Sequence, residues 1–174
     1  MRVSIIVAIA KNGAIGYKNN LIYWLPNDLK LFKSLTVGNT IIMGSNTFRS
    51  LPKGALPNRR NIVLSRRGKA EDFPDADLFP SLEAALADCR QREQAGDEQA
   101  HEVFIIGGAS VYRQALPLAD RLCLTCIQDT PQQADTFFPE FSDEDWTEVS
   151  REDHTADERH AHAYAFVDLE RIRE

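Results

Sequence analysis

Val103-Phe104-Ile105-Ile106-Gly107-Gly108-Ala109-Ser110-Val111-Tyr112 decides the fold. The first four residues are apolar and three of them β-branched, a run too short for a helix and stopped by two glycines, so it reads as a buried strand. Gly107 and Gly108 let the backbone approach a ligand closely, and the helix predicted over 110–116 offers free N–H groups to a phosphate. The same order of strand, short loop and helix recurs where Ile41-Ile42-Met43 passes through Gly44-Ser45-Asn46-Thr47. A third strand, Ile62-Val63-Leu64, ends in Ser65-Arg66-Arg67, a hydroxyl and two cations suited to a phosphate monoester. Each piece alone also fits a plain tight turn or a solvated arginine pair. Together they fit a dinucleotide lying across the C-terminal strand ends, where open α/β sheets bind ligands. No G-x-G-x-x-G occurs, which excludes the ordinary Rossmann arrangement.

Outward from these three units, the pattern predicts a buried strand over 3–10, a long loop over 11–24 and a first helix over 26–35. A strand over 40–43 leads into a helix near 46–51, followed by strands over 61–65 and 77–79. Ser81 can cap a helix running to about 93, with Leu82, Ala85, Leu86 and Cys89 on its inner face. Residues 91–102 are polar and read as an exposed loop, and 121–128 as a strand after the helix at 110–116. Two late strands, 146–151 and 162–169, have no helix between them and so form an antiparallel hairpin. Strands alternating with helices predict an α/β fold with a mainly parallel sheet covered on both faces. No repeat or low-complexity linker divides the chain, so residues 1–174 read as one domain.

The chain has 174 residues, 43% of them hydrophobic, enough for a sizeable core. Its net charge of −6, with Lys and Arg scattered, argues against a nucleic-acid partner. The longest apolar run, 5–10, is far below the ~20 residues of a membrane span, and too short for the core of a signal peptide. A cytoplasmic location is expected, and a monomer, since no long exposed apolar stripe stands out. Three cysteines, an odd number, argue against a disulfide framework. Cys123 and Cys126 fall three apart on a strand, hence on opposite faces and about 10 Å apart. His160 and His162 would share one strand face at the spacing of a two-histidine metal site, but no third ligand accompanies them. They read as solvent-facing, and no metal is expected.

One acidic residue stands out. Leu25-Pro26-Asn27-Asp28-Leu29-Lys30-Leu31-Phe32-Lys33 starts an amphipathic helix with Pro26 at its first position and Leu25, Leu29 and Phe32 on one face. Asp28 sits in the first turn, beside whatever the preceding loop encloses. Its two oxygens can grip a flat amidine-like edge such as that of a pterin. The same acid could also be there only because the helix dipole favours it, by about 0.3–1 kcal/mol.

Taken in order, these pieces resemble dihydrofolate reductase, of the bacterial chromosomal type, essentially from end to end. The matching segments are Val7-Ala8-Ile9-Ala10, Ala14-Ile15-Gly16, Leu25-Pro26-Asn27-Asp28-Leu29 with Phe32-Lys33, and Ile42-Met43-Gly44 with Thr47-Phe48. They continue through Leu56-Pro57-Asn58-Arg59-Arg60-Asn61, Leu64-Ser65-Arg66 and Ile106-Gly107-Gly108-Ala109-Ser110-Val111-Tyr112 to Leu124-Thr125 and Asp135-Thr136-Phe137-Phe138-Pro139.

The resemblance implies an eight-stranded, mainly parallel sheet and reduction of 7,8-dihydrofolate to tetrahydrofolate by NADPH, in support of one-carbon metabolism and thymidylate and purine synthesis. It implies that Asp28 holds the pterin 2-amino group and N3, with Thr125 supporting it, and that Ile6 and Ile106 contribute backbone carbonyls. Leu29, Phe32, Leu51 and Leu56 would wall the pterin and benzoyl rings, and Arg59 would pair with the α-carboxylate of the glutamate tail. Ala8, Ile15, Gly16, Asn46, Thr47, Leu64, Ser65, Arg66, Gly107, Gly108, Ala109, Ser110, Val111 and Tyr112 fall on cofactor positions. Residues 16–24 would form a lid beside the nicotinamide, and diaminopyrimidine or pteridine antifolates would compete for the pterin site.

Ile22-Tyr23 stands where the family usually has Pro-Trp, which gives Tyr23 the place of a Trp that reaches the pterin through water. Many bacterial relatives carry Arg in place of Ser45 and some in place of Ser110, so the 2′-phosphate falls to Ser65 and Arg66. Two other functions fit parts of the pattern: a same-fold reductase of the riboflavin-pathway pyrimidine, and a catalytically inert pterin- or nucleotide-binding module. The first has no glutamate tail to recognise, so Asp28, Phe32 and Arg59 together argue against it.

Overall fold

A computed structural model describes residues 1–18 and 20–173. The chain enters as strand β1 (Arg2–Ile9), makes the short strands β2 (Ala14–Tyr17) and β3 (Asn20–Leu21), and turns into helix α1 (Pro26–Thr36). Strand β4 (Thr40–Gly44), helix α2 (Ser45–Ser50), strands β5 (Arg60–Leu64) and β6 (Asp77–Phe79) and helix α3 (Leu82–Gln94) follow. Strand β7 (Glu102–Gly107), helix α4 (Ala109–Ala115) and strand β8 (Arg121–Ile127) complete the parallel part. The chain closes with β9 (Thr136–Phe137), β10 (Trp146–His154) and β11 (Tyr164–Arg171).

Eight strands form one sheet in the order β10-β11-β8-β1-β7-β4-β5-β6. The pairs from β8 through β6 are parallel, whereas β11 runs antiparallel to both β8 and β10. This is the expected α/β sheet with its antiparallel C-terminal hairpin. The central strands are apolar on both sides because both sides are covered. Val3, Ile5, Val7, Ile42, Ile62, Val103, Ile105, Leu122 and Leu124 point into one core. The alternate residues Ile6, Ile41, Met43, Val63, Phe104 and Cys123 point into the other, as the two-residue period of a strand requires. Cys123 and Cys126 thus pack on opposite sides, and all three cysteines are free.

Helix α3 begins as its sequence indicates: the Ser81 hydroxyl accepts from the Ala84 N–H at 3.1 Å, and Leu82, Ala85, Leu86 and Cys89 are the residues it buries. Arg60 is buried between Asp77 at 2.9 Å and Asp88 at 2.7 Å, tying β5 to β6 and α3.

Three sequence expectations are corrected. Residues 11–24 are not one loop, because β2 pairs antiparallel with β3 and with β9, making a separate three-stranded sheet. Their backbone groups find partners in a segment about 120 residues away, which local pattern cannot reveal. The polar stretch 91–102 continues α3 to Gln94 and then makes a 3₁₀ turn over Glu98–Ala100 that buries Ala100. His160 lies in a turn before β11 and is 2% exposed, not facing solvent.

Candidate active site

Asp28 lies in the first turn of α1, where Pro26 occupies the start and no side chain caps the helix. Thr125 on β8 stands directly across from Ala8 on β1, and its hydroxyl donates to Asp28 Oδ1 at 2.5 Å. Burial pushes the Asp28 carboxyl above its ordinary value, while the Thr125 bond works in the opposite direction by favouring the ionised form.

The same turn is fixed from its other side by the C-terminal hairpin. The Asn27 backbone N–H donates to His160 Nε2 at 3.3 Å, and the Asn27 side-chain amide donates to the Tyr164 hydroxyl oxygen at 2.7 Å. His160 Nδ1 lies 2.9 Å from Asp157 Oδ1. A backbone N–H can only donate, so Nε2 is the acceptor and the proton sits on Nδ1, directed at Asp157. His160 therefore links the Asp28 turn to Asp157 and positions it. Nothing in the local sequence around residue 160 points to α1.

The structure brings most of the apolar residues expected around the pterin into one cluster. Ile6 belongs to the core that Phe32, Leu51, Leu56 and Ile106 pack against. Leu29 is 49% exposed, because α1 buries only Pro26 and Thr36 among its own residues and leaves much of its apolar face open. The buried Tyr112 hydroxyl donates to the Ile6 carbonyl at 3.0 Å. Burial, and secondarily the charge of Asp28, holds this phenol protonated. Arg59 is fixed at two points, donating from Nε to the Pro57 carbonyl at 2.9 Å and from Nη1 to the Thr36 hydroxyl at 3.1 Å. Among the described residues it meets no carboxylate, and burial lowers its pKa, which favours gaining an anionic partner.

Tyr23 departs from its expected task. Its hydroxyl donates to Asp129 at 2.7 Å and its ring packs edge-on to His162 at 5.7 Å. Partial burial and the Asp129 carboxylate raise its pKa and keep it protonated. The phenol proton is thus committed to Asp129 and not to a water beside Asp28.

At the neighbouring strand ends, glycines bring two loops into close contact. A Cβ at Gly107, whose φ is +136°, would lie 3.2 Å from Thr47 Oγ1, and one at Gly44 would lie 3.4 Å from Val111. The Gly107–Gly108 peptide is cis. Neither α2 nor α4 has a side-chain N-cap. Ala8 packs beside Leu25, Ile127 and Tyr164, while Ile15, Val111 and Tyr112, with Leu64 and Ala109 against them, belong to the larger core. Gly16 pairs with Leu21 and Thr136 in the small sheet.

A cavity of about 500 Å³ opens beyond β5, lined by Ser45, Arg49, Ser65, Arg66, Arg67, Gly68 and Asp72. Ser110 is not among its lining residues; its hydroxyl accepts from Gln114 at 3.3 Å. Arg49 escapes a motif-by-motif reading, although its spacing of four from Ser45 puts both on one side of α2. No cluster of three metal-ligating groups exists among the described residues. Burial pushes the Cys123 thiol up to about 12, so it is not poised as a nucleophile.

An open, mainly parallel sheet with a half-buried carboxylate and a cation-lined cavity at its loops defines an α/β protein of the class that binds ligands at strand ends. The family follows from comparison with known proteins. The dihydrofolate reductase family model matches residues 2–171, and the chain belongs to that family. Dihydrofolate reductase type 3 of Salmonella typhimurium is 43% identical over 99% of this chain and 100% of its own length. The Bacillus subtilis (strain 168) dihydrofolate reductase is 40% identical, covering 97% of this chain and 94% of the relative. The structure of the Enterococcus faecalis dihydrofolate reductase complexed with NADP(H) and RAB-propyl superposes with a TM-score of 0.84 at 31% identity, over 99% of this chain and 97% of that one.

Proposed function

We infer that this chain reduces 7,8-dihydrofolate to 5,6,7,8-tetrahydrofolate with NADPH, adding hydride at pterin C6 and a proton at N5. The observation that carries this reading is the Asp28–Thr125 pair at 2.5 Å, beside a wall built of Ile6, Phe32, Leu51, Leu56 and Ile106. Family membership supports it, and disfavours the riboflavin-pathway reductase.

Asp28 orients the pterin by accepting from its 2-amino group and N3, and Thr125 keeps the carboxylate oxygen aligned. Asp28 grips the end of the pterin remote from N5, so an ordered water is the carrier for that proton. Phe32, Leu51 and Leu56 hold the ring stack and keep bulk water away. Arg59 takes the glutamate α-carboxylate, its fork pre-set by Pro57 and Thr36. Leu29, exposed at the rim, covers the benzoyl ring on binding.

The cofactor loops fit a dinucleotide on their own chemistry. A Cβ added at Gly107 would crowd the Thr47 hydroxyl and meet a backbone at positive φ, and the cavity at Ser65 is rich in cations. When bound, NADPH supplies the hydride. Asn46, Thr47 and residues 107–112 hold its phosphates and nicotinamide ribose, Ile15 and Gly16 border the nicotinamide, and Ser65 and Arg66 take the 2′-phosphate.

The same reading makes the enzyme a single-domain cytoplasmic monomer inhibited by diaminopyrimidine and pteridine antifolates. The free cysteines suit a reducing compartment, and no described helix is long and apolar enough to cross a membrane. Stopped-flow measurement of NADPH oxidation with dihydrofolate is the test. Rapid turnover in wild type that nearly vanishes in Asp28→Asn supports the assignment. Turnover with the ribosylaminopyrimidine alone, or with neither substrate, refutes it.

A further inference from the structure

Three guanidinium groups, Arg49, Arg66 and Arg67, line the cavity at the end of β5, against a single carboxylate, Asp72. Asp72 is partly occupied already, accepting from the Lys69 backbone N–H at 3.0 Å. Among the described residues, none of the three arginines forms an ion pair with a protein carboxylate. A cavity with this excess of cations matches a phosphate monoester, which carries roughly −1.5 to −2 charges near neutral pH.

Arg49 comes from a different element than the other two. It sits on α2, one turn beyond Ser45, and its guanidinium lies 5.5 Å from the centre of the Phe73 ring. Phe73 is fully buried and packs edge-on against Phe48 of α2 at 5.4 Å, so the ring under Arg49 is fixed. The contact to Asn46 at 3.5 Å is at the limit of a hydrogen bond, leaving most of the five guanidinium donors free. On the opposite lip, the Gly68 N–H donates to Ser65 Oγ at 2.9 Å. A Cβ at Gly68 would lie 2.7 Å from both Ser65 Oγ and Phe73. That loop is therefore folded tightly onto the same Phe73 platform, with the Ser65 hydroxyl proton still available to a ligand.

We propose that Arg49 is a specificity-determining residue for NADPH, closing on the 2′-phosphate from α2 while Ser65 and Arg66 hold it from the β5 loop. This rests on the NADPH reading above. It assigns to Arg49 the charge that the serine at position 45 cannot supply. The Arg49 guanidinium already lies over the Phe73 ring, 5.5 Å from the ring centre, on the side of the cavity that faces the β5 loop.

Equilibrium titration of the protein with NADPH and with NADH, read by tryptophan fluorescence or calorimetry, tests this without catalysis. Arg49→Met keeps the aliphatic packing on Phe73 and removes the charge. It should weaken NADPH about tenfold or more, the loss expected for a charge-assisted bond, while NADH affinity stays within about threefold. Arg49→Lys should fall between, and Arg49→Met should flatten the salt dependence of NADPH binding. Combined with Arg66→Ala, the losses should be non-additive, because both groups share one phosphate. An unchanged NADPH/NADH ratio in Arg49→Met, or an equal fall for both cofactors, overturns the proposal. A wild-type protein that binds neither cofactor refutes instead the NADPH reading on which it rests.

Discussion

Replacing Thr125 with Val tests the heart of the site with almost no change of shape. The hydroxyl donates to Asp28 Oδ1 at 2.5 Å, and hydrogen bonds to charged groups contribute about 1.5–3 kcal/mol. If that bond is kept in the transition state, its loss lowers kcat/KM for dihydrofolate about ten- to hundredfold at neutral pH. The sign of the pH dependence also follows. Burial already raises the Asp28 pKa and the Thr125 bond opposes that rise, so Thr125→Val raises it further. The carboxylate of the variant then takes up a proton at a pH where wild type is still ionised. The deficit should widen as the assay pH falls and narrow as it rises. Steady-state NADPH consumption across pH, with Thr125→Ser as the variant that restores the hydroxyl, provides the measurement. In an Asp28→Asn background the same change should cost less, about 0.5–1.5 kcal/mol in dihydrofolate binding, because its partner is neutral. Wild-type kcat/KM in Thr125→Val at every pH, or equal damage from Val and Ser, would refute the reasoning.

Asp28→Asn should nearly abolish turnover yet melt at a higher temperature than wild type at neutral pH. The folded-state pKa of Asp28 is raised, so above the ordinary carboxylate range the native state holds the extra proton and stability falls as pH rises. The gain should vanish as pH drops toward that range, and thermal unfolding against pH would show it; no gain at neutral pH contradicts the assignment. Arg59→Gln should raise KM for dihydrofolate about tenfold or more with kcat little changed, and leave a pterin lacking the glutamate tail unaffected. Equal losses on both substrates would remove Arg59 from tail recognition. Tyr23→Phe should leave the hydride step unchanged in single turnovers with deuterated NADPH, because its hydroxyl serves Asp129. A slowed step would mean that this phenol reaches the pterin after all.

Strands that alternate between two cores were legible because burial on both sides leaves continuous β-branched runs such as 103–106. Helix α3 was legible down to its buried face, since Ser81 caps it and its apolar residues repeat at helical spacing. The paired carboxylate and hydroxyl at Asp28 and Thr125 were reached only through resemblance, because 97 residues separate them. The small sheet escaped for a related reason: β3 and β9 have two residues each, too few to show a period, and β2 meets β9 across the length of the chain. The exposure of Leu29 is not legible, because helical spacing says which residues share a face, not whether the protein covers that face. At His160 a strand-like alternation conceals a turn, closed locally by Asp157 and tied across 133 residues to Asn27 of α1. Arg49 carries no motif signal, because its charge enters the cavity from helix α2 and not from a strand end.

The bond from Asn27 to His160 spans 133 residues, and it orders events in the life of the chain. Emerging from the ribosome, the segment carrying Asp28 is among the first to appear, and the imidazole that steadies it is among the last. The Asn27–His160 and Asn27–Tyr164 bonds can therefore form only once the closing hairpin has been made. The turn that carries Asp28 thus receives its last two partners from the final fifteen residues or so of the chain, and its geometry depends on the whole sequence having been made.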